Sequence, residues 1–487
     1  MRAIINKKMI LRILGVLLCI ESGLMLLSSV FSLYYREDDL AAFLISAGAA
    51  MGVGLLLLFL GRGAEKRFNR REGYIVVTVS WIVFSLFGML PYYISGYIPD
   101  VTDAFFETMS GFTTTGASIL DHIESMPHSL LFWRSMTQWI GGLGIVFFTI
   151  AVLPVFGVGG VQLFAAEATG PKHDKVHPRI EVTAKWIWSI YLGLTLAETL
   201  LLSFGGMEWF DSICHSLTTT ATGGYSTRQA SIAAYQSPYI EYVVTLFMFL
   251  SGINFTLLFY SLFKGRIGKL FGDTEFRLYT AIVVGFSLFI TMGLLLAGSG
   301  DVETSFRHSL FQVVSIMTTT GYVSADYTLW HPLLWFLLML LMFTGACAGS
   351  TSGAVKCIRI SMLFKVAQNE FKRIIHPNAV IPLRVNKEVI APKTKITLLA
   401  FVVVYVGVIL LGWGIMLALG VDFMDAYGVV ISSLGNIGPA LGNYGADYSW
   451  SSLPMAAKWV ASALMLIGRL ELFSVLLLFT PGFWRKR

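Results

Sequence analysis

The chain has 487 residues, of which 55% are hydrophobic and only 13% charged, about half the charged share of an ordinary soluble domain. A soluble chain of this length divides into several domains with polar surfaces, and too few polar residues are present to build them. A soluble enzyme is excluded, and an integral membrane protein of many spans is expected. The formal charge of +6 is read as basic cytoplasmic loops rather than a nucleic-acid surface. The cysteines Cys19, Cys214, Cys347 and Cys357 show neither metal spacing nor a disulfide framework and are read as small packing residues.

The first apolar run, Met9 to Tyr34, has the length of a spanning helix rather than of a cleavable signal core. A second run, Leu40 to Leu60, follows a short polar link. Further runs lie near 73–95, 131–157, 184–204, 239–263, 278–298, 332–364, 396–419 and 455–480, giving ten expected spans. With both termini cytoplasmic, 29 of the 35 Lys and Arg residues fall on the cytoplasmic side, in 1–12, 62–71, 172–185, 264–277, 356–395 and 485–487. That bias fixes the expected orientation. The opposite side holds 17 of the 29 acids against five bases, a field that would concentrate cations.

After the first two spans, each pair of spans encloses a shorter segment ending in a glycine turn. The four are Asp103 to Gly116 (…Thr-Thr-Thr-Gly), Asp211 to Gly224 (…Thr-Thr-Thr-Ala-Thr-Gly-Gly), Phe311 to Gly321 (…Thr-Thr-Thr-Gly) and Asp425 to Gly438 (…Leu-Gly-Asn-Ile-Gly). With Gly223 taken as the second turn's glycine, the spacings are 107, 98 and 117 residues. Helices of ten to twelve residues cannot cross about 30 Å of hydrocarbon, so each segment is expected to enter and return on one side. A single Thr-Thr-Thr-Gly is no more than a polar turn. Four at near-regular spacing predict repeats around one centre.

This chemistry suits a cation. Irregular backbone at membrane depth survives only where it lines a cavity or is buried in protein. Four short helices aimed inward bring their negative C-terminal ends together. Glycine turns let successive carbonyls face one axis, where they can replace the hydration shell of a monovalent ion. Asp103, Asp211 and Asp425, at the helix starts, are expected to favour the positive helix ends and to enrich cations at the mouth.

These repeats resemble the superfamily of K⁺ transporters that contains the Trk, Ktr and plant HKT proteins. Three details bring the resemblance to the TrkH family of bacterial Trk systems. They are the extra N-terminal helix pair, the linker Gly170-Pro-Lys-His-Asp-Lys-Val-His-Pro-Arg179 followed by Thr183-Ala-Lys, and His376-Pro-Asn-Ala-Val-Ile-Pro-Leu-Arg384. The resemblance implies an all-α polytopic membrane protein with four pseudo-symmetric span, pore helix, filter turn and span repeats around a central pore. The implied divisions are an accessory pair at 1–71 and repeats at 72–165, 166–270, 271–390 and 391–487. It also implies a homodimer in the inner membrane working with a cytoplasmic nucleotide-binding regulator of the TrkA kind. The implied K⁺ filter comprises Thr114, Thr115, Gly116, Ala221, Thr222, Gly223, Thr319, Thr320, Gly321, Asn436, Ile437 and Gly438. In the related HKT proteins a serine at the first glycine position accompanies Na⁺ transport, so four glycines favour K⁺ here. Asn-Ile-Gly-Pro in the fourth turn makes the ring only pseudo-fourfold.

The run 332–364 is interrupted by Gly345-Ala-Cys-Ala-Gly-Ser-Thr-Ser-Gly-Ala354, ten small or hydroxylated residues with weak helix propensity. Two readings stand: a close helix–helix contact, or a flexible broken helix beneath the filter. The resemblance implies the second, a gate made of Gly345, Gly349, Ser350, Thr351 and Gly353, although relatives often carry Gly-Gly where this chain has Gly353-Ala354. Arg469 lies within the last apolar run, where a charge is costly unless it faces a polar interior. Either it pairs with Glu198 or Glu471 of a neighbouring helix, or it projects into the ion path below the filter, as the resemblance implies. Lys356 is expected at the cytoplasmic edge.

A membrane-embedded enzyme would need clustered carboxylates or histidines. The membrane acids Glu21, Glu198 and Glu471 are scattered, and the eight histidines show no ligand spacing. No Walker-type or Rossmann glycine loop is present, so nucleotide control is assigned to a partner. A channel-like pore and an H⁺- or Na⁺-coupled carrier of the same fold both remain open.

Overall fold

The computed structural model describes residues 5–64, 69–156, 180–386, 388–445 and 449–485. The linker Gly170–Arg179 lies outside them. The first helix, Lys7–Tyr35, starts where the Asn6 side chain accepts from the Met9 amide at 3.1 Å, and it ends at Arg36 in the left-handed region. It packs against Leu40–Leu60 with backbones nearly touching: a methyl built on Gly15 would lie 2.7 Å from the Gly54 carbonyl oxygen. Small residues permit this close approach.

One order of elements then occurs four times. The leading helices are Arg70–Gly88, Ile180–Phe204, Thr274–Leu296 and Pro392–Ala418. The short helices are Val101–Phe112, Trp209–Thr220, Val302–Met317 and Phe423–Gly435, of 12, 12, 16 and 13 residues. At 1.5 Å per residue these reach roughly 18–24 Å, short of the hydrocarbon thickness. The third is longer than the expected ten to twelve residues. Asp100 caps the first, accepting from the Thr102 and Asp103 amides, and Asp301 caps the third through the Thr304 amide. Their C-terminal turns are fully buried.

Among the described residues six helices have the length and apolarity of spans: Lys7–Tyr35, Leu40–Leu60, Arg71–Ser95, Lys185–Phe204, Thr274–Leu296 and Pro392–Ala418. The expected run 131–157 falls in the helix His128–Phe156, which kinks at Gly144. The closing spans of the other repeats are broken. Pro238–Ser251 and Phe255–Leu262 meet at 106°, and Met455–Arg469 and Phe473–Phe479 meet at 109°. In the third repeat, Pro332–Leu341 and Cys357–Ile375 are separated by an irregular loop. Only this last break was signalled by composition. The others rest on single residues: Asn254 caps a new helix through the Thr256 amide at 2.8 Å, and Glu471 and Leu472 both adopt positive φ.

Candidate functional site

All four short helices end in one backbone pattern. The amides of Thr115, Gly223, Thr320 and Ile437 reach back five residues to the carbonyls of Ser110, Thr218, Ser315 and Ser432 at 2.9, 2.9, 2.9 and 3.1 Å. The residue before each is left-handed: Thr114, Thr222, Thr319 and Asn436 have φ of 52°, 53°, 58° and 54°. The residue after each is a glycine of positive φ: Gly116, Gly224, Gly321 and Gly438, at 83°, 77°, 81° and 104°. Asparagine tolerates the left-handed region, but a β-branched threonine there is strained by about 1–3 kcal/mol. Three such threonines in equivalent places mark a geometry imposed by the surroundings.

This register corrects the second turn. Gly224, not Gly223, stands where Gly116, Gly321 and Gly438 stand, and the segment Ala221-Thr222-Gly223 shifts by one to Thr222-Gly223-Gly224. The four glycines then close a ring. A methyl built on Gly116 would strike the Gly223 carbonyl oxygen, on Gly224 that of Thr320, and on Gly321 that of Ile437. On Gly438 it would lie 2.8 Å from the Thr115 oxygen. Each turn thus abuts the equivalent carbonyl of the next, and the fourth returns to the first. These same four glycines line an open vestibule; Gly223 is not among its lining residues.

Side chains behind the ring hold it. The Thr113 hydroxyl donates to the Met109 carbonyl at 2.6 Å and shares a 2.8 Å hydrogen bond with Thr115; Thr318 and Thr320 repeat this. Neighbouring repeats are tied by residues that the sequence had not singled out. Tyr225 and Tyr322 each lie three residues beyond a left-handed threonine. The Tyr225 hydroxyl donates to the Glu107 carbonyl at 2.7 Å, and that of Tyr322 bonds Thr218 and the His215 carbonyl. Gln138 donates to the Gly223 carbonyl at 2.7 Å and accepts from the Tyr225 amide at 3.0 Å. In the fourth turn Asn436 Nδ2 donates to Thr115 Oγ1 at 3.0 Å and to the Met465 carbonyl at 2.9 Å. The tyrosine pair was findable as Gly-Tyr after two of the turns.

The three helix-start acids are not free charges at a mouth. Asp103 pairs with Lys458 at 2.6 Å, and Asp211 with Arg228 at 2.8 Å, while also accepting from Thr227 and Tyr235. Asp425 accepts from the Asn443 amide and side chain at 3.0 and 2.8 Å. The charges of Asp103 and Asp211 are paired locally, and all three acids tie a helix start to another segment.

Beneath the ring lies the 345–354 segment, which is not helical, so the close helix–helix reading fails. Thr344-Gly345 pairs in parallel with Val355-Lys356 and closes the loop at its neck. The loop is seated against the ends of three short helices. Thr351 Oγ1 donates to the Thr220 carbonyl at 3.2 Å, Gly353 N to Thr319 Oγ1 at 2.7 Å, and Ala354 N to the Gly435 carbonyl at 3.0 Å. Ser350 Oγ bonds the Cys347 carbonyl and Ser352 Oγ. Gly349 has φ of 76° and Ala354 of 50°; the latter explains why a second glycine fits that place. Glu275 Oε1 accepts from the Ala348 and Ile358 amides at 2.7 and 2.9 Å, fastening both flanks.

Arg469 is the last residue of its helix, at the break. Its guanidinium donates to the Thr351 carbonyl at 2.8 Å and to the Gly141 carbonyl at 2.6 Å, joining the loop to the first repeat. Glu471 pairs instead with Arg359, whose guanidinium lies 4.1 Å from the Phe401 ring. Lys356 is not at an edge: only 2% exposed, it donates to the Ser352 carbonyl and hydroxyl. The parallel pairing carries it inward with the loop. Among the described residues no group of three His, Cys, Asp or Glu residues could hold a metal ion.

Four turns closing one ring above a seated loop, among many long apolar helices, are the frame of a polytopic helical membrane protein. Residues 41–486 match the family profile of TrkH, cation transport protein. The chain is 40% identical over 481 residues to the Trk system potassium uptake protein TrkH of Halomonas elongata, covering 98% of this chain and 99% of that one. It is 40% identical to the Escherichia coli K12 protein of the same name over 484 residues, with the same coverage. The crystal structure of the potassium transporter TrkH from Vibrio parahaemolyticus superposes with a TM-score of 0.89 at 36% identity, covering 98% and 99% of the two chains. The chain belongs to the TrkH family of cation transport proteins.

Proposed function

We propose that this protein takes up K⁺ across the cytoplasmic membrane through the ring of four turns, as part of a Trk system. The observation that carries the reading is the closed contact of Gly116, Gly224, Gly321 and Gly438 with the carbonyls of Gly223, Thr320, Ile437 and Thr115. Backbone packed this tightly around one centre presents oxygens at fixed spacing to a dehydrated monovalent ion. The filter residues are Thr114, Thr115, Gly116, Thr222, Gly223, Gly224, Thr319, Thr320, Gly321, Asn436, Ile437 and Gly438. The 345–354 loop with Arg469 is the gate, since it closes the path below the ring and carries a cation-repelling charge. Residues 1–71 act as an accessory pair, and 72–165, 166–270, 271–390 and 391–487 as the four pore repeats.

Both termini lie in the cytoplasm, by the distribution of Lys and Arg. The helix Cys357–Ile375 and the loop after it form the docking face for a nucleotide-binding regulator of the TrkA kind. Lys372 and Arg373 close that helix, and the neighbouring Lys395 ammonium holds the Glu370 carboxyl below its ordinary range. The same helix exposes Phe364, Phe371, Ile374 and Ile375, a face suited to a second copy in a homodimer. Rubidium uptake by a K⁺-auxotrophic host tests the function. Growth at low K⁺ and uptake that rises with a TrkA-type partner are expected. Failure of the inserted protein to support either would overturn it.

A further inference from the structure

Behind the junction of the first and second turns sits a buried ion pair that joins four segments. Arg134 Nε donates to Glu107 Oε1 at 2.6 Å, and the two side chains are 3% and 0% exposed. Glu107, in the first short helix, also accepts from Ser118 Oγ at 3.0 Å and from the Ile119 amide at 2.9 Å, on the strand leaving the first turn. Arg134, in the closing helix of the first repeat, donates through a second nitrogen to the Ser226 carbonyl at 2.8 Å, on the strand leaving the second turn. Its guanidinium lies 3.5 Å from the centre of the Tyr225 ring, and the Tyr225 hydroxyl returns to the Glu107 carbonyl. The pair therefore brackets the contact between Gly116 and the Gly223 carbonyl.

The equivalent places in the other repeats hold no carboxylate. Seven residues before the left-handed position stand Glu107, His215, Gln312 and Val429. His215 bonds Ser226 Oγ at 2.9 Å, and Gln312 donates to the Ala325 carbonyl at 3.3 Å. Arg134 also lines the vestibule directly above the glycine ring. Removing Glu107 alone would leave a buried positive charge at the mouth and free both exit strands to relax.

We infer that Glu107 and Arg134 are positioning residues whose ion pair fixes the width of the ring between the first two turns, and so its discrimination between K⁺ and Na⁺. The inference rests on the uptake function proposed above. The test uses the full chain reconstituted in vesicles, with rubidium uptake competed by K⁺ or Na⁺, in Glu107→Gln, Arg134→Lys and the wild type. Glu107→Gln keeps the shape but not the charge, and is expected to lower K⁺ over Na⁺ preference about tenfold. Arg134→Lys keeps the charge but can span fewer of the partners, and is expected to fall between it and the wild type. Glu37→Gln, which breaks the pair with His128 at the accessory helices, serves as a control that general loosening would also move. Wild-type preference in both ring variants overturns the inference, as does an equal loss in Glu37→Gln. If Glu107→Gln does not fold, an unaltered preference in Arg134→Lys overturns it alone. A wild type without K⁺-selective uptake would instead sink the proposed function.

Discussion

The register of the second turn makes a sharp prediction, because two adjacent glycines there have opposite roles. Gly224 has φ of 77°, and a methyl added there would lie well inside the roughly 3.3 Å at which carbon touches the Thr320 carbonyl oxygen. Gly223 is not left-handed, and its equivalents Thr115, Thr320 and Ile437 all carry side chains. A methyl on Gly223 would strike the whole amide of the buried Gln138, meeting Cδ and lying 2.5 Å from Oε1 and 2.8 Å from Nε2. Gly224→Ala must bear about 1–2 kcal/mol for a left-handed alanine and must also push apart two backbones of the ring. If the ring yields rather than the alanine, discrimination falls by a comparable energy, about tenfold for each 1.4 kcal/mol. Gly223→Ala disturbs the Gln138 bonds to the Gly223 carbonyl and the Tyr225 amide but pushes no two backbones of the ring apart, and should lose less of the preference for K⁺ than Gly224→Ala. Rubidium uptake competed by K⁺ or Na⁺ in vesicles, normalised to monodisperse protein, reads both variants. Lost discrimination in Gly223→Ala with an intact Gly224→Ala would refute the register.

Gly116→Ser should likewise relax K⁺ over Na⁺ preference, since the added atoms meet the Gly223 carbonyl, and the same competition assay checks it. Arg469→Ala should raise partner-free K⁺ flux in vesicles: it removes a unit charge worth about 4 kcal/mol at 4 Å and an effective dielectric near 20, and it unties the loop from the first repeat. Deleting residues within 345–354 should raise flux further, and a fall in both would remove the gate while leaving the ring. Charge reversal at Lys372 and Arg373 should weaken co-purification with a TrkA-type regulator without altering membrane insertion; equal recovery would count against that docking face. Asn436→Ala should lower the thermal unfolding midpoint, because two hydrogen bonds of about 1 kcal/mol each are lost and alanine is strained at φ of 54°.

The four turns were legible because their signal is local: a short apolar helix ending in hydroxyls and glycine, between spans, at near-constant spacing. The error at Gly223 arose because Ala-Thr-Gly-Gly offers two glycines, and only the five-residue hydrogen bond from the Gly223 amide separates them. Asp103 was misread because its partner is remote: Lys458 lies 355 residues away, and no spacing rule reaches that far. Glu107 with Arg134 was missed for a similar reason, since 27 residues and a turn separate them. Breaks in the second and fourth repeats were invisible because Asn254 and Leu472 change the chain direction without a shift in composition. In the third repeat ten small residues announced the break.

The contact between Asn436 and Thr115 joins positions 321 residues apart, and it governs how the protein can be made. Synthesis runs from the first repeat to the last, so three quadrants enter the bilayer before the partner of Thr115 exists. Until then the nascent protein is a crescent with an open seam, its polar turns facing lipid or whatever chaperone covers them. Such long-range closure is slow and exposes the unfinished protein to misassembly. A ribosome that stalls before codon 436 therefore leaves a long chain with three turns and no closed ring.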